Sequence, residues 1–375
     1  MSQTSPIHPE DAKKANEVFY ASQWQLIWRK FRKHRVAGIC AVVLMLIYIL
    51  TMFCEFFAPH NPLTYNTDFV YAPPQRIRFV GEDGFSFRPF VYGYTKTRDM
   101  RTFRDTYEPD PTQVFPLEFF PEVAPYRLLG IWEVNRQFFG VQEGYIFLLG
   151  TDRMGRDMLS RILYGGRIST TIGLIGVLLS LVMGVVIGGF SGYFGGLFDS
   201  IVQRIMELLR TVPTIPLWMG LSAALPEDWT PVQVFLGISI ILSFQGWTAL
   251  GRQVRSKFMS LKQEDFVVAA ELIGSSRSRV VFMHMLPSFM SHIIASVTLA
   301  IPSMILGETS LSFLGLGLRP PIISWGVLLQ EAQNVRTLNL APWLFLPGAA
   351  VVVTVLAFNF LGDGLRDAAD PYGGG

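Results

Sequence analysis

The sequence predicts an all-α membrane protein of about six transmembrane helices, with a large extracytoplasmic insert between the first and second. Three observations predict this. Only 16% of the 375 residues are charged and 50% are hydrophobic, whereas soluble domains carry ~25% charged residues. Uncharged apolar runs long enough to cross a bilayer recur along the chain, the first being the nineteen residues from Val36 to Cys54, which as a helix span about 28 Å. Basic residues crowd the edges of these runs, at Arg29, Lys30, Arg32, Lys33 and Arg35, and again between Arg252 and Arg279, where six Arg or Lys face three acids. By the positive-inside rule both edges lie in the cytoplasm. The formal net charge of +2 is too small to argue for nucleic acid.

Residues 1–35 form a cytoplasmic N-terminal segment. No short apolar region with a small-residue cleavage site follows Met1 to Ser22, so a removable signal peptide is not expected. Residues 36–58 are the first transmembrane helix. Its Cys40 and Cys54 lie fourteen residues apart, about 21 Å along a helix, too far for a disulfide; both are expected as small buried hydrophobes.

Residues 59–167 are hydrophilic, rich in proline and aromatics, and hold no apolar run long enough to cross. They are expected outside, since long loops translocate largely regardless of charge. Phe85, Phe87, Phe90, Tyr92 and Tyr94 recur in a strand-like pattern, so the insert reads as a small folded lobe. It ends in L-L-G-T-D-R-M-G-R-D-M-L-S-R-I-L-Y-G-G-R-I-S. Thr151 or Asp152 can cap a helix there. Arg153, Asp157 and Arg161 make an i, i+4 ladder on one side, and Met154, Met158, Ile162 and Leu163 line another. This amphipathic pattern predicts a helix lying at the outer interface.

The second span is predicted over Ile168–Phe190. Gly184, Gly188, Gly192 and Gly196 recur every fourth residue, a spacing that lets a neighbouring helix approach closely. The third runs from Asp199 through Pro213 and Pro216 to Leu225, and the fourth from Pro231 to Gly251. The fifth covers Val280–Gly307, the sixth Ala341–Leu361, and residues 363–375 form a cytoplasmic tail.

Between the fourth and fifth spans lies E-D-F-V-V-A-A-E-L-I-G-S-S-R-S-R-V-V-F-M-H-M-L-P. Phe266, Ala269, Ala270 and Ile273 fall at i, i+3, i+4 and i+7, one stripe of a short helix, and Gly274 is its expected stop. Too short to span a bilayer, the helix can lie in a groove; the alternative from pattern alone is an amphipathic helix resting on lipid headgroups.

At these residues the sequence resembles the inner-membrane permease subunits of bacterial ABC importers. Their mark is E-A-A, three residues, Gly, nine residues, then I-x-L-P. Ala269, Ala270 and Gly274 match, as do Leu286 and Pro287. Val268 stands in place of the Glu and His284 in place of the Ile, departures that resemble the peptide and nickel branch. G-T-D-R-M-G-R-D-M-L-S-R-I-L-Y-G-G-R-I-S and G-E-T-S-L-S-F-L-G-L-G-L-R-P-P resemble the same branch closely. The resemblance implies a permease core over residues 168–362, with residues 263–279 as a coupling helix docked in a cleft of an ATPase subunit. It implies as partners a homologous second permease subunit, two ABC ATPase subunits that bind ATP and Mg, and an extracytoplasmic solute-binding protein. This chain itself would need no cofactor. The implied setting is the bacterial inner membrane, multi-pass, with both termini cytoplasmic. The implied cargo is a dipeptide or oligopeptide, with nickel, oligosaccharides and opines as alternatives within the branch.

Glu308 follows a run without an acid from Leu272 onward, and a carboxylate at that depth must be hydrogen-bonded, paired or facing water. It is a candidate for the outer mouth of the translocation pathway, where it would meet a peptide's amino group or a metal. Alternatively it satisfies hydroxyl or backbone donors where the helix breaks, or pairs with Arg319.

Other chemistries lack their residues. No G-x-x-x-x-G-K-[ST] cradle for ATP phosphates occurs, nor an H-E-x-x-H or G-x-S-x-G, so catalysis by this chain is not expected. An intramembrane hydrolase needs paired acids, and Glu207, Glu308 and Glu55 have no matching partner in the sequence. An ion-coupled secondary transporter needs a relay such as Glu207 with His284 or His292; those histidines are expected to be structural.

Overall fold

A computed structural model describes residues 23–82, 84–100, 104–333 and 341–369; residues 1–22, and residues 370–375 of the tail expected over 363–375, lie outside them. Helix α1 (Gln23–Lys33) carries the basic cluster. His34 ends it and caps α2 (Arg35–Met52), its Nδ1 accepting from Ala37 N at 3.1 Å. Phe53 interrupts the helix before a last turn, α3 (Cys54–Phe57). Cys54 is buried and Cys40 half-buried, both as free thiols.

The insert is a β lobe, so the all-α expectation holds only for the remainder. Its main sheet is antiparallel in the order β1 (Arg78–Gly81), β2 (Gly84–Asp99), β3 (Arg104–Pro116). Two small pairs follow: β4 (Glu118–Phe119) with β7 (Phe139–Gly140), and β5 (Glu122–Leu128) with β6 (Trp132–Arg136). Of the aromatics that suggested strands, Phe90, Tyr92 and Tyr94 are buried, whereas Phe85 and Phe87 project from the β1–β2 hairpin. Gln75 ties the lobe's entry to its exit, donating to Tyr92 O at 3.0 Å and accepting from Phe147 N at 2.6 Å.

No separate interfacial helix follows the lobe. Helix α4 runs unbroken over Met158–Phe194, capped by Asp157, whose carboxylate accepts from Ser160 N at 2.8 Å. Asp157 competes with Thr151 and Asp152 as a cap and wins because Gly155 turns the chain just before it, at φ +72°. Arg153 therefore lies outside the helix, and Met158, Ile162 and Leu163 pack inward as its first turns.

Gly195 and Gly196, at φ +65° and +62°, reverse the chain into α5 (Gly196–Thr211). Pro213 has no N–H to continue that helix, so the chain restarts as α6 (Thr214–Ala223). The expected third span is thus two helices. Helix α7 (Pro231–Leu261) starts at a reciprocal Thr230–Gln233 cap and extends ten residues past the expected Gly251. Helix α8 (Asp265–Leu272) follows. The fifth element begins as a π-helical stretch, Val280–Met285, bends at Phe289 just after Pro287, and continues as α9 (Met290–Phe313) with Pro302 inside. Helix α10 (Trp325–Glu331) belongs to the next loop, and a turn at Pro342–Phe345 leads into α11 (Leu346–Ala369).

The molecule is therefore mostly helical, and among the described residues five segments are long and apolar enough to cross a membrane: Arg35–Met52, Met158–Phe194, Pro231–Leu261, Met290–Phe313 and Pro342–Ala369. The largest core joins α2, α4, α7, α9, α10 and α11 through Leu44, Ile172, Leu242, Ile305, Trp325 and Phe358.

Candidate coupling surface and permease interior

The two-turn helix α8 has two apolar sides. Val267 and Ala270 face inward, buried against Leu261, Val280, Val281 and Met285. Phe266, Ala269, Leu272 and Ile273 face outward, the last two being 81% and 82% exposed. The expected stripe is therefore corrected at one position: Ala270 packs into the chain's own core, because an i, i+3 pair with Val267 anchors the helix. Phe266, Ala269 and Ile273 remain on the open side. Gly274, at φ +83°, ends the helix as expected. Its N–H reaches Glu271 O at 3.0 Å and Ser275 N–H reaches Ala270 O at 3.1 Å, the two bonds of a Schellman motif. Leu286 is half-buried beneath the helix and Pro287 is exposed at the bend.

Three residues outside that pattern hold α8 in place. Tyr193, at the end of α4, donates its hydroxyl to Glu271 at 2.5 Å, and Lys262 donates to Tyr193 O at 2.9 Å while its ammonium lies 5.4 Å from the tyrosine ring. Sequence reasoning missed them because Tyr193 lies 78 positions from Glu271 and only folding brings the two together.

Helices α4 and α7 pack closely through the glycine stripe. A Cβ added at Gly188 would lie 2.2 Å from Gly251 O, one at Gly192 would lie 2.5 Å from Arg255 O, and one at Gly184 would lie 3.2 Å from Gly251 N. Ser180 donates to Ser243 O at 3.4 Å across the same seam, 63 positions away. Gly188–Gly251 and Gly192–Arg255 repeat that offset, so the two helices run parallel. Gly196 is a correction: a Cβ there would meet nothing within 4 Å. Its role is the turn, since α4 has already ended.

Glu308 is fully buried. Its two oxygens accept from Ser169 Oγ at 2.9 Å and Ser312 Oγ at 2.8 Å. Those hydroxyls in turn accept from Trp325 N at 3.1 Å and Leu318 N at 3.0 Å. The carboxylate thus organises the loop after α9. Glu207 pairs instead with Arg204 at 2.8 Å on the exposed side of α5, so the relay considered with His284 or His292 is not assembled.

Next to the lobe, Asp152 and Glu331 hold Arg156 and Arg161 in a buried cluster. Arg156 reaches Asp152 at 2.7 Å and Glu331 at 3.1 Å; Arg161 reaches Glu331 at 2.8 Å and also Asp152. Burial alone raises the Glu331 carboxyl, but the hydrogen bond and charge of Arg161, with Arg156 and Arg153 beside it, hold it below the usual carboxylate range. A carboxyl lowered on folding stabilises fully above its unfolded value and loses that contribution as pH falls through the lowered one. The cluster's contribution to thermal stability should therefore be constant near neutrality and be lost only on acidification below the ordinary carboxylate range. Glu331→Gln, which leaves two buried guanidiniums facing one carboxylate, should cost about 3 kcal/mol, read as a lowered Tm of the purified chain; an unchanged Tm would show that the cluster holds nothing.

A cavity of about 660 Å³ opens between α5, α6, α7, α9 and α11, lined by Arg210, Gln245, Gln253, His292, Ser303 and Arg366 among others.

Comparison with known proteins gives these features a family. Residues 184–372 match the model for binding-protein-dependent transport system inner membrane components, and residues 22–74 match the N-terminal transmembrane domain of oligopeptide transport permease C. The oligopeptide transport system permease protein OppC of Escherichia coli K12 is 39% identical over 241 residues, 64% of this chain and 76% of that protein. OppC of Bacillus subtilis is 38% identical over 223 residues, covering 59% and 70%. A putative peptide permease protein of Brucella suis is 37% identical over 224 residues, covering 59% and 72%. With matches that span the core helices and the segment containing α8, this multi-pass inner-membrane chain belongs to the family of binding-protein-dependent transport system inner membrane components, the permease subunits of ABC importers.

Proposed function

We propose that this chain is one of two homologous permease subunits of an importer that moves oligopeptides inward, driven by ATP hydrolysis in two separate ATPase subunits that bind ATP and Mg. The observation that carries the reading is the open apolar face of α8, held rigidly from beneath in a chain 39% identical to an oligopeptide permease. An ATPase cleft would receive that face. A solute-binding protein would deliver the peptide to the lobe, whose hairpin aromatics Phe85 and Phe87 are exposed.

Six crossings, one more than the five apolar segments among the described residues, are supported by the parallel seam. If α4 and α7 run in the same direction, the chain between Phe194 and Pro231 has to return across the membrane. The broken pair α5–α6 tracks α7 antiparallel along most of its length. Asp199 pairs with Arg255 at 2.5 Å, Leu209 O accepts from Gln245 at 2.8 Å, and Leu225 lies against Gly237. Both termini and residues 252–279 would then be cytoplasmic, and 59–150 outside.

The test is reconstitution of the chain with its co-encoded partners in vesicles. ATP on the ATPase side should drive uptake of a labelled oligopeptide presented with the binding protein; no uptake with liganded binding protein and active ATPase would overturn the reading. In the same vesicles, single cysteines at Ser86 and Asp228 should label from the lobe side, and those at Leu197 and Ser275 from the ATPase side. Labelling of 197 and 228 from one side would restore five crossings.

A further inference from the structure

Arg210 sits at the depth of an uncharged stretch. Its neighbour Leu209 bonds Gln245, which lies within the charge-free run Pro231–Gly251 and seven positions before Arg252, about 10 Å along α7. A guanidinium at such depth is costly unless it faces water or a partner. Arg210 lines the cavity of about 660 Å³, a volume usual for ligand sites. Arg366, in the last turn of α11, lines the same cavity. Among the described residues no carboxylate lines it, and neither arginine has a carboxylate within ion-pairing distance, whereas Arg255, Arg204, Arg161 and Arg156 all do. Gln245, Gln253, His292, Ser296, Ser303 and Thr248 are among the other polar residues of its wall.

We propose that Arg210 and Arg366 receive the C-terminal carboxylate of the peptide in transit, making this cavity a cationic half of the translocation path. The inference rests on the oligopeptide reading above. A guanidinium presents paired donors that match a carboxylate, and in a wall that is otherwise uncharged two of them favour an anionic end over an amide or an ammonium. Their depths differ, Arg210 lying far from the α7 end and Arg366 near the end of α11, so a carboxylate released by the first meets the second on its way out.

The experiment compares a free-acid oligopeptide with its C-terminal amide, each delivered by saturating liganded binding protein to the full complex in neutral phosphatidylcholine vesicles. Each peptide is compared between wild type and variant, so selection by the binding protein cancels. Arg210→Gln should lower free-acid uptake relative to amide uptake by about tenfold, the factor expected for one lost charge-assisted bond. Arg366→Gln should act in the same direction, and Arg210→Lys should recover part of the ratio. Equal slowing of both peptides, or no slowing, overturns the inference. So does an effect that appears only when anionic lipid is added, because the arginines would then serve headgroup phosphates. If wild type moves neither peptide, the oligopeptide reading itself fails, which separates the two failures.

Discussion

Ile273→Glu is expected to abolish the stimulation of partner ATP hydrolysis by liganded binding protein while the permease still inserts and assembles. Ile273 is 82% exposed at the C-cap of α8 and touches no core of its own chain. A charge there costs the isolated fold about 1 kcal/mol or less, the penalty of an exposed acid at a helix C-terminus, because the backbone bonds of Gly274 and Ser275 that close the helix are untouched. Buried unpaired in an apolar cleft it costs several kcal/mol, so stimulated ATPase activity should fall by about a hundredfold or more. The same measurement on Ala270→Glu should differ in kind. Ala270 is buried against Val280, Val281 and Met285, so that charge disrupts the chain's own packing and the complex should be lost before coupling is tested. Normal stimulated activity in Ile273→Glu would show that the open face of α8 is not where the ATPase docks.

Gly188→Leu should destroy the α4–α7 seam. Without a hydrophobic driving force between helices in lipid, association depends on close packing across small residues. A Cβ at Gly188 would fall 2.2 Å from the Gly251 carbonyl oxygen, a backbone atom that cannot swing aside. Both helices must part along their length, which also separates Ser180 from Ser243. We expect a destabilisation of about 3 kcal/mol or more, the scale of severe overpacking, seen as aggregation or loss of a folded peak when the chain is extracted in mild detergent. Two controls calibrate it. Gly220→Ala meets nothing within 4 Å and should be silent. Gly196→Ala also meets open space but sits at φ +62°, so it should cost about 1 kcal/mol through backbone strain alone. A Gly188→Leu chain as stable as wild type would mean that the helices are not in contact there.

The membrane character, most apolar spans and the Gly274 stop were legible from residues alone, because each rests on local free energies. An uncharged run reports its transfer into hydrocarbon, a positive-φ position selects glycine, and an alternating aromatic run selects a strand. The glycine stripe was legible as a packing surface, although periodicity carried it one residue type too far, to Gly196, where the helix had already ended. Local pattern also failed just before α4: residues 151–163 scan as an independent amphipathic helix, yet Arg161 meets both Asp152 and Glu331, the latter from α10, and that long-range cluster fixes the segment as a cap and the first turns of a span. Tertiary structure alone decided that Ala270 points inward while Ile273 points out, that Tyr193 and Lys262 brace α8, and that Glu308 is buried against the hydroxyls of Ser169 and Ser312. It also decided that α4 and α7 run parallel at a constant offset of 63 positions. No run of sequence encodes that offset, since which helix meets which depends on how all the small and large side chains fit together at once, and the broken pair α5–α6 is drawn across the bundle by that fit rather than by apolar length of its own.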